Sequence, residues 1–322
     1  MDFCGPALQV DRHMASQTQD RTLGAARDWD EYWQGRTAQS SGAALVGVER
    51  DGELDTFWAG VFANAPESAA ILDMACGAGT VLRAARAAGH TELTGLDISP
   101  DALAALANAM PGIATVVASA DAPPFAPASF DLVTSQFGVE YASITEAAAA
   151  VAALLRPGGR IVWLTHLAGG AIAEEVAGKA EAANTLLSGG FIPAARALFT
   201  APEAEFEAAA GAFREPQATV LALAKSGDPL AAHLYAGTQR MYQRRAAYAL
   251  DDILAWYDGT EAQVRAFAGR MSGMLAAAVD DALAETVCGI WRDRGLHVPP
   301  STTLALGGCP AARILSATQP LA

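Results

Sequence analysis

The sequence predicts an α/β fold: a doubly wound, mostly parallel sheet with an antiparallel last strand and a helical insertion. An apolar run over residues 70–74 leads into two alternating glycines and then into a helix-compatible segment that reaches residue 88. Strand-like and helix-like segments then alternate as far as residue 168, as they do in parallel sheets whose strands are joined by helices. Two short strand-like segments, 301–306 and 311–318, follow a long helix-rich stretch.

The first apolar run predicts a buried strand, a tight turn and the start of a helix. Asp73 lies at the end of the strand, where its carboxylate can accept hydrogen bonds from loop amides or from a cationic ligand group. Gly77 and Gly79 follow, and glycines in such a turn let the backbone approach a ligand that a Cβ atom would push away. The segment therefore predicts a ligand-binding loop between the first strand and the first helix of the sheet.

The second predicted strand also ends in a carboxylate. Residues 93–96 lead into Asp97, about twenty positions after Gly77. An acid at this distance is placed to accept hydrogen bonds from the hydroxyls of a bound ribose. It could instead cap the following helix, but Ser99 is already available for that, with Pro100 at the first helical position. The ribose role is therefore the favoured prediction.

Five segments resemble, in order and at ordinary spacing, the motifs of the class I S-adenosylmethionine-dependent methyltransferases that act on small molecules. They are the glycine loop at 70–80, the acidic strand end at 93–99, and the segments 118–125, 129–137 and 154–162. Together they span roughly residues 65–168, about a third of the chain. The resemblance implies a Rossmann-like methyltransferase sheet and S-adenosyl-L-methionine as the cosubstrate.

The resemblance also implies which residues hold the cosubstrate. In the family the acid of the second strand, here Asp97, binds the ribose, and the next apolar residue, Ile98, packs on the adenine. Asp121 either bonds the adenine amino group or opens the proline-rich turn that follows it, and Cys76 is a small buried filler rather than a nucleophile. The implied cosubstrate-binding residues are Asp73, Ala75, Cys76, Gly77, Gly79, Asp97, Ile98, Ala120, Asp121, Ala122, Gln136 and Phe137.

A nicotinamide or flavin dinucleotide is the competing ligand for this kind of fold. Its fingerprint is G-x-G-x-x-G, in which the third glycine allows close packing of the helix on the strand. Here Leu82 occupies the third position, and Asp73 precedes the glycines where a dehydrogenase usually has an apolar residue. Asp73 and the downstream motifs therefore favour S-adenosylmethionine.

The predicted organisation has five parts. Residues 1–26 show no periodicity and predict a disordered leader, and residues 27–64 predict an N-terminal helical lid. Residues 65–168 are the predicted S-adenosylmethionine-binding core. Residues 169–296 are rich in helix formers, and the resemblance implies that they form a helical substrate cap inserted in the core. It likewise implies that residues 297–322 are the closing strands of the core sheet.

Aromatic residues of the predicted lid suggest where the methyl acceptor binds. Trp29, Tyr32 and Trp33 share one face of a helix, which packs on the core, covers the cosubstrate, or does both. The cosubstrate is expected at the carboxyl ends of the first two strands. The acceptor pocket is therefore predicted between the aromatic helix, the end of the fourth strand and the inserted helices.

Candidate residues for catalysis and acceptor binding follow the fourth and fifth strands or lie in the inserted helices. His166, at the end of the fifth strand, is a candidate base, although a loop histidine with a satisfied hydrogen bond fits the same position. Tyr141 and His233 are the other candidate catalytic residues. The candidate acceptor-binding residues are Trp29, Tyr32, Trp33, Phe137, Tyr141, Arg240 and Tyr242.

Three arginines of the insertion form a predicted cluster. Arg240, Arg244 and Arg245 are expected on roughly one side of a helix. Such a cluster is usually a solvated face that pairs with surplus acids. The alternative is a site for a carboxylate or a phosphate group.

Composition narrows the class of partner. The 322-residue chain has a formal net charge of −14, with 21 lysines and arginines against 35 acids, so nucleic acid is disfavoured as a substrate. The four cysteines are scattered and predict neither a disulfide framework nor a metal site, which suggests a reduced, cytoplasmic setting. No long apolar stretch free of charges predicts a membrane span.

The sequence thus predicts S-adenosylmethionine-dependent methyl transfer to a small-molecule acceptor by in-line displacement. Catalysis would depend mainly on holding the nucleophile, the carbon and the sulfur in line while water is excluded. A base is needed only if the acceptor is protonated at the working pH. A protein methyltransferase is one alternative, and a non-catalytic S-adenosylmethionine-binding regulatory or partner protein is another.

Overall fold

The computed structural model describes residues 51–321, which belong to two compact units. Of the described residues, the first unit holds 51–172 and 277–321, and the second holds 173–276. The elements of the first unit are α1 (Asp51–Ala63), β1 (Ile71–Met74), α2 (Thr80–Ala87), β2 (Leu93–Asp97), α3 (Pro100–Ala109), β3 (Ala114–Val117), β4 (Phe130–Gln136), a 3-10 turn (Val139–Tyr141), α4 (Ile144–Leu154) and β5 (Leu155–His166).

The helical unit follows β5, and the chain then returns to the first unit. The helices between are α5 (Ala171–Ser188), α6 (Phe191–Thr200), α7 (Phe206–Lys225), α8 (Pro229–Gln243) and α9 (Leu250–Ala277), and the returning elements are α10 (Asp281–Asp293), β6 (Thr302–Leu306) and β7 (Cys309–Thr318). Short 3-10 turns precede α7 and follow α8.

The strands of the described chain form one seven-stranded sheet in the order β3-β2-β1-β4-β5-β7-β6. β1 is parallel to β2 and to β4, so Asp73 lies beside Gly95 on one side and Thr134 on the other. β5 is parallel to β4, whereas β7 is antiparallel to β5 and β6. The predicted fold class is therefore confirmed. The strand order reverses between β1 and β4, and open α/β sheets bind ligands at the carboxyl ends of strands beside such a reversal.

Local sequence explains why the first elements form where they do. β1 is buried at all four residues, as expected of a central parallel strand covered on both faces. α3 begins as predicted: Ser99 Oγ accepts a hydrogen bond from the Ala102 N–H at 3.1 Å, and Pro100 occupies the first helical position. Asp101 in the first turn favours the same boundary through the helix dipole.

α10 belongs to the first unit, although the helical insertion predicted from the sequence (169–296) included it. The Trp291 Nε1–H donates to the Ala148 carbonyl of α4 at 3.0 Å. Its ring also meets Trp163 of β5 edge to face, with 5.1 Å between the ring centroids. The inserted helical unit is therefore shorter than predicted, because its last helix covers the sheet.

The chain leaves and rejoins the first unit at adjacent points. Leu167 and Val279 form an isolated parallel bridge just beyond β5. The Val279 N–H donates to the His166 carbonyl at 2.8 Å, and the Ala168 N–H donates to the Val279 carbonyl at 3.2 Å. The buried Arg313 of β7 also donates to the Val279 carbonyl. The two ends of the inserted segment are thus held together by the sheet.

The helical unit has an apolar core of its own. The rings of Phe191 and Phe213 lie 5.0 Å apart, and the buried Tyr257 hydroxyl lies 2.9 Å from Thr238 Oγ1. Residues 217–225, for which the sequence left strand and helix open, are helical and belong to α7. Pro216 lies inside that helix.

The predicted arginine cluster is not on one helix. α8 ends at Gln243, so Arg244 is its C-cap and Arg245 lies in the following 3-10 turn. Arg245 donates to the Phe199 carbonyl at 3.1 Å, and its guanidinium lies 5.6 Å from the centre of the Phe199 ring. The prediction is wrong for Arg244 and Arg245 because the helix ends before them.

Some predictions concern residues outside the described range. The disordered leader at 1–26, the part of the lid at 27–50, and Trp29, Tyr32 and Trp33 all lie there. Among the helices of residues 51–321, none is long and apolar enough to cross a membrane. Within the same residues, no group of three or more His, Cys, Asp or Glu side chains is arranged to hold a metal ion.

Candidate functional site

The loop between β1 and α2 has an unusual backbone conformation. Ala75, Gly77 and Gly79 have φ angles of 52°, 51° and 82°. The left-handed region suits glycine, but for alanine it costs roughly 1–2 kcal/mol. The Cys76 N–H donates to the Leu96 carbonyl at 3.0 Å, which ties the loop to β2. The loop is therefore a strained turn held at the carboxyl end of the sheet, as is common at ligand sites.

Asp97 connects this loop to the start of α3. Its Oδ2 accepts from the Gly77 N–H at 2.8 Å, and its Oδ1 accepts from the Ser99 N–H at 2.9 Å. The side chain is buried. Asp97 thus shapes the loop in addition to its predicted ribose role, which stays a prediction.

Asp73 is the second buried carboxylate at this edge of the sheet. Its Oδ1 accepts a hydrogen bond from the Thr134 hydroxyl of β4 at 2.8 Å. Burial, opposed by the Thr134 hydrogen bond and assisted by the charge of Asp97, raises the pKa of Asp73 to about 7. Ionising Asp73 next to Asp97 therefore costs free energy, and a cationic ligand group would offset that cost.

Cys76 has the environment of a filler rather than of a nucleophile. Its side chain is buried, and a Cβ on Gly95 of β2 would lie 2.9 Å from its Sγ. Burial and the charges of Asp97 and Asp73 raise the pKa of the Cys76 thiol well above its usual value. A thiol that stays protonated is a poor nucleophile.

The segments predicted to hold adenine follow β2 and β3. Ile98 is half-buried, Ala120 is buried and Ala122 is exposed. Asp121 Oδ2 accepts from the Ser143 N–H, the N-cap position of α4, at 3.4 Å. Asp121 therefore faces the start of a helix, and its role toward adenine stays a prediction.

The end of β4 is packed directly against the glycine loop. Phe137 has a left-handed backbone with a φ of 53°, and its N–H donates to the Leu164 carbonyl of β5 at 2.8 Å. A Cβ on the next residue, Gly138, would lie 2.7 Å from the Ala75 Cβ. Gln136 Oε1 accepts from the Trp58 Nε1–H of α1 at 2.5 Å. This oxygen is therefore bonded to α1, and the predicted cosubstrate role of Gln136 stays a prediction.

His166 is paired with Glu140, a residue to which the sequence assigned no role. Glu140 Oε1 accepts from the His166 backbone N–H at 2.9 Å and lies 2.8 Å from its Nδ1. Phe137 stacks on the imidazole with 4.6 Å between centroids, and Tyr141 meets it edge-on at 6.0 Å. The structure thus brings together Phe137, Tyr141 and His166, three residues that the sequence selected.

No motif marks Glu140, which is 26 residues from His166 in the sequence. The available signal was topological, because Glu140 follows β4 and His166 ends the neighbouring parallel strand β5. Such ends meet at one edge of a sheet.

The remaining candidates lie in the helical unit, on α8. His233 is exposed and its ring lies 5.6 Å from the Trp256 ring. Arg240 is exposed, and Tyr242, which is 46% exposed, meets Phe199 edge to face at 6.5 Å. Their roles in catalysis or acceptor binding stay predictions.

Comparison with known proteins also indicates a methyltransferase domain in the core. Residues 71–159 match the family model described as "Methyltransferase domain". No curated protein matches the chain significantly. Among solved structures, it is similar to an S-adenosylmethionine-dependent methyltransferase from Mesorhizobium loti, with 32% identity over 34% of this chain and 53% of that one and a TM-score of 0.32.

Two further solved structures show lower identity. The PH0226 protein from Pyrococcus horikoshii is 19% identical over 42% of this chain and 66% of that one, with a TM-score of 0.36. A 1,6-didemethyltoxoflavin-N1-methyltransferase from Burkholderia thailandensis, solved with S-adenosylhomocysteine, is 11% identical over 99% of this chain and 93% of that one, with a TM-score of 0.43. The chain spans about half the length of the Mesorhizobium loti protein that it matches.

The family match covers the strands and loops that carry the strained turn, Asp73, Asp97 and the end of β4. The motifs at 70–80 and 93–99 are two of the five from which the family was predicted. They lie within the matched range, except for residue 70. Residues 71–159 therefore match a methyltransferase domain, in the part of the chain where the sequence motifs predicted one.

Proposed function

We propose that the protein binds S-adenosylmethionine at the carboxyl ends of β1 and β2 and transfers its methyl group to a small-molecule acceptor. When bound, S-adenosylmethionine supplies a methyl group on a positively charged sulfur. The observation that carries the proposal is the pair of buried carboxylates, Asp73 and Asp97, at adjacent strand ends around a left-handed loop.

The charge and the bonding capacity of this site fit the cosubstrate. Asp97 raises the pKa of Asp73, so a ligand with positive charge near Asp73 would stabilise both carboxylates. Asp97 ends β2, where a carboxylate is placed to accept hydrogen bonds from the hydroxyls of a ribose. Gly77 and Gly79 leave the loop backbone without side chains where the ligand would pass.

The assignment to a small acceptor is supported by charge. A net charge of −14 repels polyanions, and the rings of Phe137, Tyr141 and His166 lie together at the ends of β4 and β5. Aromatic surfaces beside a few polar atoms are typical of sites for small organic molecules.

Calorimetric titration with S-adenosylhomocysteine tests the binding step. Asp97→Ala is a poor test by itself, because it also removes the acceptor for the Gly77 and Ser99 amides. The sharper design measures the affinity for S-adenosylhomocysteine and for its analogue that lacks the ribose hydroxyls. Both ligands are titrated into wild type and into Asp97→Asn. If Asp97 binds the ribose, loss of the hydroxyls costs about 1.5–3 kcal/mol in wild type and much less in the variant. Equal losses would contradict the ribose assignment, and NAD binding in place of S-adenosylhomocysteine would contradict the cosubstrate.

Turnover is tested with an extract of the source cells separated by size. S-adenosylhomocysteine formation with the small-molecule fraction supports the proposal, and formation only with the protein fraction supports a protein methyltransferase. Tight cosubstrate binding without turnover on either fraction would indicate a non-catalytic binding protein.

A further inference from the structure

The buried pair of Glu140 and His166 has two polar atoms without a partner. His166 is 1% exposed and Glu140 is 5% exposed. Within residues 51–321, neither His166 Nε2 nor Glu140 Oε2 has a hydrogen-bond partner. A buried polar atom left unpaired costs roughly 1–3 kcal/mol, and in native structures each such atom calls for an explanation.

The hydrogen bonds of the pair indicate which ring nitrogen of His166 carries the proton. Glu140 Oε1 accepts from the His166 backbone N–H and also lies 2.8 Å from Nδ1. When Glu140 is ionised its carboxylate only accepts hydrogen bonds, and in that state Nδ1 would carry the imidazole proton and Nε2 would present a lone pair.

A series of direct contacts connects the Glu140–His166 pair to the loop between β1 and α2. His166 stacks on Phe137 with 4.6 Å between ring centroids. The neighbouring Gly138 lies against Ala75 so closely that a Cβ would be 2.7 Å from the Ala75 Cβ and 2.8 Å from its carbonyl oxygen. The left-handed backbone of Phe137 holds its ring in this position at a cost of roughly 1–2 kcal/mol. Phe137, whose backbone is strained, thus connects His166 to the strained loop between β1 and α2.

We infer that His166 Nε2 is the proton acceptor of the methyl transfer and that Glu140 is its positioning residue, so that the methyl acceptor is a hydroxyl or N–H compound. This inference rests on the proposed function. The attacking oxygen or nitrogen forms the new bond to the methyl carbon, and the sulfur keeps the electron pair of the broken bond. The proton of the attacking atom passes to Nε2, and Nδ1–H stays bonded to Glu140. Acceptors without such a proton, such as tertiary amines and thioethers, need no base and would leave this pair unused.

Nitrogen NMR of the histidine side chains, in the S-adenosylhomocysteine complex of the full chain, tests the inference without turnover. His166 is assigned by loss of its signals in His166→Asn, whose amide still reaches Glu140. Phenol and anisole are the probes, since they differ in the hydroxyl proton. We expect the Nδ1–H tautomer, and an Nε2 signal that phenol shifts as its hydroxyl donates and that anisole leaves in place. Glu140→Gln keeps an acceptor oxygen but loses the charge, and should increase the population of the Nε2–H tautomer.

Turnover on the small-molecule fraction gives the second readout. His166→Asn should lower S-adenosylhomocysteine formation at least about 100-fold, while the affinity for S-adenosylhomocysteine stays within about twofold. The matched control is His90→Asn. His90 is also buried with an unpartnered ring nitrogen, but it precedes β2 at the opposite end of the sheet.

An Nε2–H tautomer in wild type, equal responses to phenol and anisole, or unchanged turnover in His166→Asn would each overturn the inference. Failure of the proposed function is recognised separately, because wild type would then neither bind S-adenosylhomocysteine nor consume the cosubstrate. If binding is intact and wild type shows no turnover, the tautomer and the phenol response decide.

Discussion

At the scale of single residues, Asp73 couples folding to pH. Burial and the charge of Asp97 raise its pKa from 3.8 to about 7 in the folded protein. The folded state therefore holds the proton up to a higher pH than the unfolded state. The contribution of Asp73 to stability accordingly falls as the pH rises from about 4 to about 7. Relative to Asp73→Asn, wild type should lose about 2–4 kcal/mol across this window. Urea unfolding of both proteins at pH 4 to 8 measures the difference, and parallel curves would contradict it.

The contact between Gly138 and Ala75 gives a second prediction for a single residue. Gly138→Ala places a Cβ 2.7 Å from the Ala75 Cβ and 2.8 Å from a backbone oxygen, so the glycine loop must shift. We expect a loss of about 1–3 kcal/mol in the free energy of unfolding, and weaker binding of S-adenosylhomocysteine. The matched control is Gly60→Ala on the exposed face of α1, where a Cβ meets nothing within 4 Å. That change should stabilise by about 0.5–1 kcal/mol. Equal effects of the two substitutions would show that the close contact is unimportant.

Residues selected from local motifs were the most predictable part of the site. The alternating glycines and the two strand-end acids are recognisable because each follows an apolar run, and the structure places them along one edge of the sheet. Glu140 could not be selected in this way. Its partner comes from another strand, and only the register of β4 against β5 brings the two together. The same holds for Trp58 and Gln136, which are 78 residues apart.

At the scale of elements, Pro216 is expected to weaken α7. Proline removes one backbone donor and crowds the preceding turn, at a cost of about 3 kcal/mol in an ideal helix. Pro216→Ala should therefore stabilise the helical unit by about 1–3 kcal/mol, measured by thermal unfolding followed by circular dichroism. Pro229→Ala is the control, because Pro229 occupies the first position of α8, where no donor is lost. Destabilisation by Pro216→Ala would mean that the proline ring contributes more through packing than it costs.

Element boundaries were predictable where capping chemistry is explicit. Ser99 and Pro100 indicated the start of α3, and the structure has the predicted cap. The end of α8 was missed because neither glycine nor proline follows Gln243, and Arg244 ends the helix in an ordinary backbone region. α10 was assigned to the wrong part of the chain for a different reason. Its helical pattern was clear, but only tertiary contacts such as Trp291 with Ala148 show which unit it covers.

At the scale of the whole molecule, the net charge of −14 predicts behaviour toward polyanions. Nucleic-acid binding depends on release of counterions by clustered lysine and arginine, and acids outnumber these residues here. Fluorescence anisotropy with a labelled 30-nucleotide single strand should show no binding at physiological salt, where non-specific binders typically reach dissociation constants of about 10⁻⁴–10⁻⁶ M. Micromolar binding that weakens steeply with added salt would contradict the prediction and reveal a local basic surface.

The bridge between Leu167 and Val279 has a consequence for engineering the inserted segment of this chain. Because the sheet itself holds the two ends of the inserted segment together, β5 and β7 remain neighbours whatever lies between them. Helices could be lengthened, exchanged or removed at this junction with little change in the entropy of closing the sheet, since closure entropy rises only slowly with loop length. We therefore expect this junction to tolerate inserted segments of different length.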